Sequence, residues 1–144
     1  MRDPNYGRRL AALAVLMLMS AACGGESGHS LKVTIGDDPA GEGGCGATSY
    51  PGQRISGGRV TVLGADGASL DSAQLPSDGE ARQGTADRGA GPSEACFWSV
   101  QLSVADSKVY KVQVELPKGA PETLTYSQAE LEAMEWHLQL TKNF

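Results

Sequence analysis

The chain has 144 residues, 19 of them glycine and 7 proline, and a formal net charge of −5. That length holds one domain with short appendages, and glycines and prolines set between apolar runs point to a loop-rich β domain, not a helical bundle. The acidity excludes nucleic acid as a partner, because that needs a basic stripe to displace counterions, and it excludes a polybasic grip on anionic lipid heads.

At the amino end, Arg8 and Arg9 precede an apolar run from Leu10 to Met19, followed by Ser20-Ala21-Ala22-Cys23-Gly24-Gly25. A positive region, a short apolar core and small residues at a cut are the order of a secretory signal. Leu10–Ala22 supplies 13 residues, whereas a membrane-spanning helix needs ~20. Positive charge on the amino side keeps that end in the cytoplasm, so the chain beyond the apolar run is exported. The first 22 residues carry a net +2 (Arg2, Arg8 and Arg9 against Asp3), which leaves −7 on the other 122.

Ala21-Ala22-Cys23-Gly24-Gly25 resembles the lipobox of bacterial lipoproteins, actinobacterial ones in particular. The resemblance implies cleavage before Cys23, lipid on its thiol, and anchorage to the extracytoplasmic face of the cell membrane. Ser20 departs from the family pattern, which carries Leu, Val or Ile three residues before the cysteine. The alternative is an ordinary signal peptide cut near Ala22, with Cys23 free or in a disulfide. Arg8-Arg9 also admits twin-arginine export, but its surroundings match that signal poorly, so general secretion is the expected route. The expected division is a signal over 1–22, a lipidated cysteine and polar tether over 23–30, and a domain over 31–144.

Three cysteines in an exported chain leave one unpaired. Lipidation of Cys23 leaves Cys45 and Cys96, for which an oxidising exterior favours a disulfide. Two cysteines alone do not make a zinc site, which takes three or four clustered ligands.

Along the domain, Leu31-Lys-Val-Thr-Ile35 alternates with period two and predicts the first strand. Residues 36–58 form a glycine-rich stretch containing Asp37, Asp38, Glu42 and Cys45, long enough that it is either functional or pinned by the disulfide. Gly58–Leu63 predicts a second strand, Ala65-Asp66-Gly67 a turn, and Ala68–Leu75 the returning strand. Residues 76–94 read as an exposed loop. In Ala95–Val104 the alternation places Cys96, Trp98, Val100, Leu102 and Val104 on a core face. Asp106-Ser107 turns the chain, and Tyr110, Val112, Val114 and Leu116 point inward on the next strand. Pro117–Pro121 breaks the pattern. Ser127 with Glu130 makes a capping box that starts a helix over Gln128–Met134. Trp136, Leu138 and Leu140 then alternate as a final strand. Six or seven strands with one short helix before the last fit an antiparallel β-sandwich.

Two stretches, Val60-Thr-Val-Leu-Gly-Ala-Asp-Gly67 and the Tyr-x-Val-x-Val run at Tyr110–Val114, resemble prealbumin-like and other immunoglobulin-like domains. Tyr126-Ser-Gln-Ala-Glu-Leu131 followed by Trp136 is similar to small actinobacterial secreted proteins. The resemblance spans roughly residues 59–140, implies a β-sandwich, and brings no functional residues with it.

Recognisable catalytic sets are missing. There is no Gly-x-Ser-x-Gly, no Ser-x-x-Lys and no His-Glu-x-x-His, and no glycine-rich phosphate cradle follows a strand and opens a helix. His29 falls in the tether, and His137 faces away from the core side of its strand. Trp98 and Trp136 offer rings for sugar stacking, but both alternate with core residues, which favours packing. Asp37, Asp38 and Glu42 can offer oxygens to calcium, which is millimolar outside cells, yet their spacing matches no calcium loop. The expected function is a monomeric, membrane-anchored, non-catalytic module without cofactor, binding an envelope protein, peptide or polymer through loops 36–58 and 76–94. The alternatives are an accessory protein sensing a solute or divalent cation at Asp37, Asp38 and Glu42, and an enzyme of unrecognised motif.

Overall fold

The structure, a computed structural model, describes residues 28–37, 44–83 and 94–142. The expected signal, Cys23, Asp38 and Glu42 lie outside the described residues. In chain order come β1 (Gly28–Asp37), α1 (Gly52–Ile55), β2 (Arg59–Leu63), β3 (Ser69–Gln74) and β4 (Glu80–Gln83). Next are β5 (Glu94–Ala105), β6 (Val109–Glu115), β7 (Glu122–Ser127), α2 (Gln128–Ala133) and β8 (His137–Lys142). They build a β-sandwich of two four-stranded sheets, ordered β4-β5-β1-β8 and β3-β2-β6-β7.

The core lies between the sheets and obeys the period-two pattern. Leu31, Val33 and Ile35 from β1 and Cys96, Trp98, Leu102 and Val104 from β5 are buried, facing Val60, Val62, Tyr110, Val112 and Val114 of the other sheet. Each such aliphatic or aromatic side chain contributes roughly 1.5–3 kcal/mol when withdrawn from water. β1 and β5 are antiparallel over ten pairs, from Gly28↔Ala105 to Asp37↔Cys96.

The chain passes from one sheet to the other between β5 and β6, and Tyr110 holds that corner. Its hydroxyl donates to the Ala105 carbonyl (3.2 Å) and accepts from the Ser107 amide (2.8 Å). Ser107 Oγ in turn donates to the Val109 carbonyl (2.8 Å) and accepts from the Ala65 amide (3.1 Å), tying in the β2–β3 turn. β4 covers only the first residues of β5, up to Phe97. Further along, the Asp71 carboxylate reaches over from β3 and accepts the Ser103 amide at 2.7 Å, which blunts an edge otherwise open to pairing.

Several elements differ from expectation. β1 begins at Gly28, so His29 and Ser30 belong to the sheet and not to the tether. Gly36 and Asp37 extend β1, and the expected loop 36–58 holds a second short helix, α1. The expected loop 76–94 contains β4 and the start of β5. β7 is an additional strand; its Glu-Thr-Leu-Thr-Tyr-Ser lies on a sheet edge with both faces partly wet, so it lacks a clear apolar alternation. The sandwich is also not wholly antiparallel, because β8 runs parallel to β1, Lys32↔His137 to Asp37↔Lys142. The reason is topological: β7 delivers the chain to the end where β1 starts, α2 turns there, and β8 leaves in β1's direction.

The capping box of α2 is present: Ser127 Oγ accepts the Glu130 amide (3.2 Å), and Glu130 Oε2 accepts the Ser127 amide (2.7 Å). The helix closes with the paired bonds Glu135 N–H to Glu132 O (2.9 Å) and Trp136 N–H to Leu131 O (2.8 Å), a Schellman arrangement. Glu135 (φ 53°) and Trp136 (φ 56°) are both left-handed, where non-glycine residues lose on the order of 1–2 kcal/mol each. Trp136 is therefore a turn residue, and the strand starts at His137. In return its carbonyl accepts the Lys32 amide (2.8 Å) and its ring stacks on His29, centroids 3.8 Å apart and planes 9° from parallel.

Trp98→Ala empties the centre of β5 and is expected to lower unfolding free energy by ~3–5 kcal/mol, read by denaturant titration. The Ser127 backbone bond, then the Ser127 side chain, hold the Glu130 carboxyl below its ordinary value of 4.5. A lowered folded-state value means the cap stabilises fully above 4.5 and loses that contribution as pH falls through the folded value; Glu130→Gln should flatten this acid limb in melts from pH 6 to 3.

Candidate functional site

The β1·β5 register defines two ends of the sandwich. At the Gly28 end lie the β5–β6 corner, the β2–β3 turn and α2; at the Asp37 end lie residues 44–58 and 75–79. There the disulfide joins Cys45 to Cys96 with Cα atoms 5.4 Å apart, pinning the segment after β1 onto β5. This is the bridge expected from the cysteine count.

Segment 44–58 is folded, not slack. Ser49 Oγ donates to the Gly46 carbonyl (2.6 Å) and accepts the Gly52 amide (3.1 Å). A Cβ at Gly52 would meet the Gly46 oxygen at 1.9 Å, so only glycine fits that contact. Ile55, at the end of α1, is fully buried and seats the segment on the core. The β3–β4 linker is bonded to it at several points: Gly79 N–H to Cys45 O (2.8 Å), Ser56 Oγ to Ser77 O (2.7 Å) and Leu75 N–H to Gly58 O (2.7 Å). Between the two segments runs an open groove of about 420 Å³ lined by Ala47, Ser56, Gly57, Gln74, Leu75 and Ser77. No lining side chain is charged; Ser56, Gln74 and Ser77 supply its neutral hydrogen-bonding groups.

Beside this groove segment, Tyr50 is 61% exposed. The Arg54 guanidinium lies over its ring, 4.0 Å from the centroid, and donates to its hydroxyl. The aromatic and the arginine that contacts it stand four residues apart on the segment that the disulfide closes.

The other candidate residues are spread out. Asp37 is 7% exposed at the end of β1, between Cys96 and Lys142 in the ladder. Its expected co-ligands Asp38 and Glu42 lie outside the described residues. Among the described residues no group of three His, Cys, Asp or Glu is placed to hold a metal. Trp98 is buried under the Gly79 backbone, where a Cβ would come within 2.7 Å of the indole. Its ring N–H has no hydrogen-bond partner among the described residues. Trp136 is partly buried against the core, with one face taken by His29. Neither ring is a free stacking platform. His29 Nε2 lies 2.6 Å from Asp106 Oδ1 at the Gly28 end. His137 is exposed and bonds Thr34 Oγ1 (3.1 Å), which in turn meets Ser99 Oγ (2.9 Å). The imidazole thus meets a buried threonine, and the serine lies one hydroxyl further on.

Tyr50, Arg54 and the groove are not among the residues that sequence reasoning singles out. The signal for them was the i, i+4 spacing of Tyr50 and Arg54 after Ser49, obscured by the glycines and by the brevity of α1. Among the described residues, no helix is long and apolar enough to cross a membrane. No family model, curated protein or solved structure matches the chain.

Non-reduced protein is expected to weigh about 2 Da less than its Cys45/Cys96 dithiol. Reduction, or Cys45→Ala with Cys96→Ala, should lower stability by on the order of 4 kcal/mol in the chain-entropy account of a loop this long, read by thermal melts with and without reductant.

Proposed function

We propose that this protein is a lipid-anchored, extracytoplasmic, non-catalytic binding module that carries its contact loops on the end of the sandwich facing away from the membrane. The observation that supports the reading is the course of β1. The strand starts at Gly28, five positions after Cys23, and ends at Asp37 beside the disulfide. Ten residues at ~3.3 Å each separate the two ends by roughly 30 Å. The five steps from Cys23 to Gly28 can bridge at most about 18 Å, so an anchor on Cys23 holds the Gly28 end near the bilayer and leaves the Asp37 end free to face outward.

At that outer end stand the features a binder uses: loops on a stapled scaffold, an exposed Tyr50 braced by Arg54, and an uncharged groove. Tyrosine and arginine are enriched among residues that dominate binding energy. The ligand class in keeping with an uncharged groove is a peptide or polymer of the cell envelope that presents neutral hydrogen-bonding groups. The residue-level likeness to immunoglobulin-like domains is in keeping with such display at a sandwich end, but fold analogy alone identifies no partner.

The deciding experiment is expression in a bacterial host, with mass analysis of the N-terminal peptide from wild type and Cys23→Ala. A diacylglycerol-modified Cys23 that disappears in the variant, together with membrane partitioning, is the expected result. Protein free in the medium with an unmodified terminus near residue 23 would sink the anchored reading and return Cys23 to the pool of thiols.

A further inference from the structure

β8 is an edge strand of its sheet. Among the described residues it pairs with β1 alone, over Lys32↔His137 to Asp37↔Lys142, and its other edge carries no strand. It sends one fully buried side chain into the core, Leu138, with Leu140 partly buried. It is reached through Met134–Trp136, where two successive non-glycine residues are left-handed. What holds that segment closed is the Schellman pair on α2, the Lys32-to-Trp136 backbone bond, and the His29 ring lying on Trp136 with Asp106 against its Nε2.

We infer that β8 is an exchangeable strand: released through the Met134–Trp136 hinge, it uncovers an edge of β1 that the β8 of a second copy fills. Complementarity between strand and edge sets the occupant. His-Leu-Gln-Leu-Thr-Lys fits the β1 edge in a register that buries Leu138 and half-buries Leu140, and a second copy offers the same strand with the same contacts. Because the strand contacts are identical in the closed and exchanged forms, the balance rests on the hinge and on the entropy of association. Extending the hinge returns Glu135 and Trp136 to ordinary backbone, which favours exchange. The His29–Trp136 stack opposes it. Exchange of β8 does not depend on the lipid anchor.

The test uses the chain with Cys23→Ala, so that lipid does not set the oligomeric state. Samples are refolded at high and low protein concentration, sized by light scattering, and monitored by hydrogen exchange over 137–142 and over β5. The expected result is a dimer after concentrated refolding, with residues 137–142 exchanging faster than β5. Two variants should move it in opposite directions. Glu135→Gly relieves the hinge and should lower the dimerisation constant at least about fivefold, while raising the monomer melting temperature. His29→Ala removes the latch and should raise the dimer fraction. A staple made by Lys32→Cys with His137→Cys, register neighbours, should keep the protein monomeric after the same concentrated refolding. Strand exchange is overturned if the protein stays monomeric with 137–142 as protected as β5. It is equally overturned if the dimer persists with the staple closed, because that dimer would be edge-to-edge pairing without exchange.

Discussion

The ten-pair ladder between β1 and β5 is the constraint on which the remaining structure depends. Its register decides which end of the sandwich meets the amino-terminal segment and which end carries the disulfide. It also gives β8 an edge to lie on and aligns the apolar side chains of both strands toward the second sheet. A slip of one residue would turn Leu31, Val33 and Ile35 to solvent and bring Lys32, Thr34 and Gly36 inside, so burial enforces the register strongly. The disulfide reinforces it at one end, and Tyr110 fixes the crossing to the other sheet at the opposite end.

What was legible in the residues was what burial writes into a pattern. The faces of β5 and β6 stood out because every second residue from Cys96 to Val104 and from Tyr110 to Val114 is buried. The start of α2 was legible because a capping box is local chemistry, four residues long. The Cys45–Cys96 bridge was accessible to counting once Cys23 was set aside for lipid by its resemblance to a lipobox. β4 and β7 escaped because they are short edge strands with partly wet faces. The direction of β8 escaped for another reason: it is fixed by where β7 delivers the chain, a fact of three-dimensional topology that no periodicity records. At the candidate site, Tyr50 and Arg54 gain their meaning from the Gly46–Ser49–Gly52 bonds that fold the segment, and these are hidden within a run rich in glycine.

The outer faces of both sheets are dressed mainly with hydroxyl and amide side chains. Thr61 and Ser72 bond each other on one face (3.0 Å), and Thr34, Ser99 and His137 do so on the other. Gly36 is the exception in kind. A Cβ there would strike the Phe97 ring at 2.8 Å, so the aromatic lies flat across bare backbone with Arg82 above it. On these faces neighbouring polar side chains satisfy one another sideways.

The course of β1 has a mechanical consequence. A pull between Gly28 and a load on segment 44–58 runs along the strand axis. It enters β1 at one end and, through Cys45–Cys96, enters β5 at the other. The hydrogen bonds of the β1·β5 ladder lie across that axis, so they are loaded together in shear and do not open one at a time like a zipper. The same β1 register that separates the two ends therefore makes the strand the tension member of the molecule, able to carry force from one end of the sandwich to the other without first surrendering the core.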